Sequence, residues 1–158
     1  MEIREISYEN RESINKFIMC HWFSLNMVVR GKMVNMSELS GLVMYEGKNI
    51  LGLLTYKLCK NEMEIVSLDS LREKEGIGTA LVNRAVKIAS CLELNKIKLI
   101  TTNDNINALR FYQKRGFDMA KLYLNSVDSA RKLKPSIPIK GNFDIPIKHE
   151  IEFEKILK

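Results

Sequence analysis

Between Leu68 and Leu81 the chain reads Leu-Asp-Ser-Leu-Arg-Glu-Lys-Glu-Gly-Ile-Gly-Thr-Ala-Leu, a strand-like start, a Gly76-Ile77-Gly78 turn and the opening of an amphipathic helix. Glycine bends the backbone without steric cost, and the first amides of a helix lack intrahelical partners, so this junction suits a phosphate at the positive end of the helix dipole. Plain turn chemistry gives the same pattern. A dinucleotide-binding reading fails, because the preceding strands form a meander instead of a parallel unit. The histidines, His21 and His149, have no ligand partners at metal spacing and read as solvated or locally bonded. Cys20, Cys59 and Cys91 are odd in number, without CxxC pairing, and read as reduced, mostly buried thiols. No metal is expected.

The elements that must hold this turn follow from periodicity. Ile3–Ile6 reads as a strand, and Asn10 offers an N-cap to a helix with Ile14, Phe17, Ile18 and Phe23 on one side. Residues 26–40 are irregular and are expected to form a loop with one further helix. Leu42–Tyr45, Ile50–Tyr56 and Glu64–Leu68 are β-rich, joined by turn formers at hairpin spacing. Ile77, Leu81, Ala85, Ile88 and Leu92 then recur at helical spacing. Ile97–Thr102 is the next strand, a helix runs from Asn105 to just before Gly116, and Phe117–Leu124 is a strand again. A helical turn around Asp128–Arg131 and an ordered proline-bearing loop lead to His149–Glu154, whose alternation fits an edge strand. The order predicts an α/β fold with one mixed sheet.

The composition bounds the class. At 158 residues, 46% hydrophobic and 28% charged, without a linker or an apolar run of membrane length, residues 1–158 read as one globular domain. Met1 leads directly into charged residues, which predicts cytoplasmic residence. The formal charge of +6 suits either nucleic acid or a ligand with several phosphates. Lysines are spread along the chain with no aromatic-interleaved cluster, so neither nucleic acid nor a membrane is expected as a partner. A homodimer is compatible with the sequence.

About thirty residues beyond the glycine turn stands Asn105-Ile-Asn-Ala108-Leu-Arg-Phe111-Tyr112-Gln-Lys-Arg-Gly116-Phe117. The two segments together resemble the cofactor motifs of the GCN5-related N-acetyltransferase (GNAT) superfamily, Arg/Gln-x-x-Gly-x-Gly/Ala and Asn-x-x-Ala-x-x-Phe-Tyr-x-x-x-Gly-Phe. The resemblance is strong over residues 42–117. Looser similarity in Lys134-Pro-Ser-Ile-Pro138 and Ile145-Pro-Ile147 is to a group of bacterial members without a defined substrate. The family departs at one position: Glu73 stands where Arg or Gln is usual, so pyrophosphate would rest on the amides of Gly76, Ile77 and Gly78, with Arg72, Lys74 and Thr79 beside them.

The resemblance implies an acyl-CoA N-acyltransferase fold of about seven strands, splayed between its fourth and fifth, with about four flanking helices. It implies acetyl-CoA as the acetyl donor and a primary amine as acceptor, joined by direct attack in a ternary complex. Leu68 and Ser70 fall on the strand that pairs with the pantetheine arm, Asn105 on the asparagine that bonds the cofactor, and Tyr112 on the tyrosine facing the thioester sulfur. Asn105 as a simple N-cap and Tyr112 as a core aromatic remain open. Removing the amine's proton calls for a carboxylate on the central strand. Glu64, on a segment similar to the glutamate-bearing strand of histone-acetylating members, is favoured over Asp69. The alternative is a non-catalytic module that binds acyl-CoA as a signal.

Overall fold

Each turn former of the sequence ends a strand in the computed structural model, which covers residues 1–158. In chain order the elements are β1 (Glu2–Glu5), α1 (Arg11–Trp22), β2 (Asn26–Val29), β3 (Lys32–Asn35), β4 (Ser40–Glu46), β5 (Asn49–Cys59), β6 (Glu62–Ser70), α2 (Ile77–Cys91), β7 (Lys96–Thr102), α3 (Ile106–Gln113), β8 (Asp118–Tyr123), α4 (Ser126–Leu133) and β9 (Glu150–Ile156). Seven strands form one sheet in the order β1-β4-β5-β6-β7-β9-β8, antiparallel throughout except for the parallel pair β6–β7. The fold is α/β with a mixed sheet. No helix is long and apolar enough to cross a membrane.

Strand alternation sends each side chain to one of two cores. On one face Ile14, Phe17 and Ile18 of α1 pack with Val29, Val43, Leu53 and Val66. On the other, Ile77, Leu81, Val82, Ala85 and Ala89 of α2 meet Leu54, Ile65, Ile97, Leu99 and Phe153. The helical stripe of α2 therefore closes through Ala89, while Leu92, at the end of the predicted stripe, is 51% exposed. After α3, Gly116 takes φ +78 and lets the Phe117 N–H return to the Tyr112 carbonyl at 3.1 Å, which closes the helix end.

Three expectations need correction. Residues 26–40 form the β2–β3 hairpin and a short 3₁₀ turn over Met36–Glu38, with no further α-helix. Arg30 (φ +48) and Gly31 (φ +70) make its two-residue turn, and an arginine in the first position hides a signal that Asn or Asp would have given. β9 is an interior strand between β7 and β8: Ile151 and Phe153 face one core, while Glu152 and Glu154 on the other face meet Arg30 and Lys96. All three cysteines are exposed and free.

Candidate active site

The sheet opens where β6 and β7 stop pairing. Their parallel ladder runs from Glu62–Lys96 to Ile65–Leu99, yet β6 continues to Ser70 and β7 to Thr102. The cause lies on the other side of β6. Against β5 the register passes from Tyr56–Ile65 to Thr55–Ser67, leaving Val66 as an extra residue. Such a bulge bends and twists its strand, and here it turns β6 away from β7 at the last paired residue. The cleft between the separated ends has a volume of about 830 Å³ and is walled by β6, β7, α1, the β2–β3 hairpin and the starts of α2 and α3.

One end of the cleft is built to receive anions. Gly76 takes φ +79 and precedes α2 with no side-chain cap; the first intrahelical bond is Ala80 N–H to the Gly76 carbonyl at 2.9 Å, so the amides of Ile77, Gly78 and Thr79 have no partner within the helix. Gly78 keeps this approach open: a Cβ there would stand 3.3 Å from Phe111 Cζ. Lys74, Arg110, Lys114 and Arg115 line the same region. Arg115 stacks on Phe111 with its guanidinium carbon 3.5 Å from the ring centroid and donates to Thr79 Oγ1 and the Phe111 carbonyl. Sequence reasoning missed Arg115; its signal was a cation one turn after Phe111, before the closing glycine. Arg72 also lines the cleft but is shared with Glu46 at 2.8 Å and Glu75 at 3.6 Å. Glu73 lines it with no cation within 4 Å.

Leu68, Ser70, Arg72, Lys74, Gly76, Ile77, Gly78, Thr79, Asn105 and Tyr112 are all brought to this one cleft. Asn105 caps α3, its Oδ1 accepting the Ala108 N–H at 3.2 Å, while its amide donors have no protein partner. The N-cap reading is what the structure shows, and the free amide donors leave a bond to a cofactor open. Tyr112 is a core aromatic, its ring buried edge-on to Phe111 and Phe117 at 5.0 and 5.5 Å, and the residue also lines the cleft. Its hydroxyl has no hydrogen-bond partner in the protein. Burial pushes the Tyr112 phenol well above its ordinary range, with Arg115 opposing and Asp69 adding to the effect.

Neither sequence-predicted base lines the cleft. Glu64 is 1% exposed, and Arg30 donates to both of its oxygens at 2.9 and 3.1 Å while Lys57 Nζ stands 3.3 Å away. Its alternation was visible in the sequence; the two cations, from the hairpin turn and β5, were not. The Asp69 carboxylate accepts the Trp22 indole N–H at 2.9 and 3.0 Å, and its pKa is raised by burial, with the indole bond opposing. Asp69 thus fixes a tryptophan in the cleft wall. The carboxylate that does reach the cleft on this side is Glu150, which no sequence signal singled out. The histidines are bonded locally, His21 to the Phe17 carbonyl and His149 Nδ1 to the Asn125 N–H, each at 2.8 Å.

Comparison with known proteins agrees with this geometry. The model of the acetyltransferase (GNAT) family matches residues 4–117. YxbD of Bacillus subtilis strain 168, described as an uncharacterized protein, is 44% identical over 149 residues, 94% of each chain. Among solved structures, an IAA acetyltransferase from Bacillus cereus superposes with a TM-score of 0.74 at 18% identity, over 99% of both chains. A GNAT acetyltransferase from Elizabethkingia anophelis with acetyl-CoA bound gives 0.71 at 16% identity, over 99% of this chain and 97% of its own.

Proposed function

The chain belongs to the acetyltransferase (GNAT) family, and from that premise we propose that it moves an acetyl group from acetyl-CoA to a primary amine, both held at once in the splayed cleft. The observation that carries the reading is the continuity of one cavity, from three unpartnered helix amides, along the unpaired ends of β6 and β7, to Tyr112. Its features fit the donor part by part. The amides of Ile77, Gly78 and Thr79 with Lys74, Arg110, Lys114 and Arg115 suit a pyrophosphate. The open edge of β6 at Val66–Ser70 suits an extended arm with its own amides, as an added strand would be received.

Acetyl-CoA supplies a thioester whose carbonyl carbon accepts the amine and whose sulfur leaves. The protein contributes position first, which is worth about 7–11 kcal/mol in favourable cases. An unpaired amide of β6 stabilises negative charge on the carbonyl oxygen. Tyr112, kept protonated by burial, donates toward the departing sulfur. Direct transfer is favoured over a covalent acyl-enzyme, since no cysteine lines the cleft and its aliphatic hydroxyls, Ser67, Ser70, Thr79, Thr101 and Thr102, have no histidine among the lining residues to activate them. Glu64, held by two cations, is assigned to anchoring the hairpin through Arg30 and not to proton transfer.

Calorimetry with acetyl-CoA on wild type and Gly78→Glu tests binding: the variant places bulk and negative charge among the helix amides and should lose measurable affinity. Unchanged affinity in a folded variant sinks the assignment. A thiol-release screen against amino acids, peptides, aminoglycosides, polyamines and apolar monoamines tests turnover. Binding without release for every amine would support the signal-binding module instead.

A further inference from the structure

On the side of the sheet covered by α1 and the hairpin, the cleft wall is apolar apart from one charge. Trp22, Met27, Val28, Val29, Val66 and Ile100 line it, with Ser67, Thr101 and Thr102 as neutral polar groups and Glu150 as the charged one. The other charged residues of the lining, Arg72, Glu73, Lys74, Arg110, Lys114 and Arg115, lie in the loop before α2 or on α3 and the turn after it.

Glu150 is 5% exposed. Its Oε2 accepts the Arg30 backbone N–H at 3.4 Å, and its buried Oε1 has no donor anywhere in the protein. The other carboxylates on this face are all matched. Glu62 has Lys96 and Lys98, Glu64 has Arg30 and Lys57, Glu152 has Arg30 and the Tyr123 hydroxyl, and Glu154 has Lys96, with every cation within 4.0 Å. Glu150 has no cation within that distance, although Thr102 faces it across the β7–β9 ladder and places it at the open end of β7. A buried carboxylate oxygen without a donor is costly, and the cleft that Glu150 lines is the side from which a donor can reach it.

We infer that Glu150 receives the ammonium of the acceptor and takes its proton, and that the acceptor is a monoamine bearing its charge at the end of an apolar body. This rests on the acetyl-transfer reading above. The step is a proton transfer: R–NH3+ and the carboxylate become R–NH2 and a carboxylic acid, the nitrogen lone pair is freed, and the proton is returned to solvent after turnover. The charged and titratable groups beside Glu150 are Arg30, through its backbone N–H, Tyr123 opposite it on β8, and Glu152 and His149 along its own segment. The ammoniums of a polyamine or aminoglycoside beyond the first would meet Trp22, Val29 and Val66, with no second carboxylate in this part of the lining.

Trp22 is the single tryptophan of the chain and lines the same wall, so its fluorescence reports on this end of the cleft without turnover. Titration with 2-phenylethylammonium should give a saturable change, and neutral 2-phenylethanol or spermidine at equal concentration should not. E150Q should weaken 2-phenylethylammonium about tenfold to a hundredfold, the range of a lost charge-assisted bond. E150D, which keeps the charge but withdraws it by one methylene, should show a partial loss. Acetyl-CoA affinity, measured by calorimetry on the same samples, should be unchanged in both variants. Equal amine affinity in wild type and both variants overturns the inference, as does the absence of a saturable change in wild type that binds acetyl-CoA; either result leaves acetyl transfer standing. Wild type that fails to bind acetyl-CoA overturns the underlying reading and this inference with it.

Discussion

Tyr112→Phe removes one hydroxyl from a buried ring and leaves its contacts with Phe111, Phe117 and Phe153 in place. The hydroxyl has no partner in the protein, so the melting temperature and acetyl-CoA affinity should be nearly unchanged. The effect on chemistry follows from proton affinities. An ordinary phenol near 10 and a thiol near 8.5 differ by about 1.5 units, so complete transfer from tyrosine to the departing thiolate is uphill by about 2 kcal/mol. Burial raises the Tyr112 phenol further and widens that gap. In the proposed role the hydroxyl would therefore supply a hydrogen bond donated to a developing anion, about 1.5–3 kcal/mol, and its removal should cost roughly 10- to 150-fold in rate.

The pH dependence has a definite sign. The phenol acts in its protonated form and its pKa is raised, so Tyr112 should impose no alkaline loss of rate up to about pH 10. The assay is single-turnover acetyl transfer to the amine that the release screen identifies, since product release masks chemistry in kcat. Wild-type rate in the Phe variant would refute the role. A tyrosine-dependent alkaline limb below pH 10 would refute the account of its environment.

Two other perturbations test neighbouring claims. Glu73→Arg exchanges the carboxylate at the anion end for a cation; with about 1 kcal/mol per close charge pair in water, acetyl-CoA should bind about 3- to 10-fold tighter at low salt, with the gain vanishing in high salt. Unchanged or weaker binding by calorimetry counts against placing the phosphates at this loop. Glu64→Gln leaves Arg30 and Lys57 without their anion, and with Arg30 partly solvated the cost should be about 2 kcal/mol, or roughly 4–8 °C in melting temperature for a chain of this size. The midpoint of the pH–rate profile should stay where it is, and a shifted midpoint in a folded variant would return Glu64 to the role of base.

The parts of the site legible in the sequence are those fixed by local physics. A glycine turn before an apolar stripe predicts free helix amides, and Asn105, Ala108 and Tyr112 lie within two turns of one helix, so their common address needs no knowledge of the rest of the chain. The carboxylates could not be assigned that way. Glu64, Glu150 and Glu152 all alternate with apolar neighbours on strands and look alike in sequence. What separates them is Arg30, whose side chain comes from a hairpin 34 residues from Glu64 and whose backbone amide meets Glu150 across 120. The interior position of β9 was hidden for the same reason: paired charges on one face of an interior strand leave the same alternation as solvent does at an edge.

The Val66 bulge ties these observations together. Without it β6 would continue its ladder along β7, and the edge at Val66–Ser70 would be paired instead of open. By ending the ladder it joins the two faces of the sheet through one cleft, and the faces carry opposite charge: Lys74, Arg110, Lys114 and Arg115 toward α2 and α3, Glu150 toward the hairpin. On the proposed reading such a gradient would orient both reactants before they meet, drawing a polyanionic donor to the helix amides and an ammonium to the far wall. Their reactive ends would then meet beside Tyr112, which lines the cleft where the sheet divides.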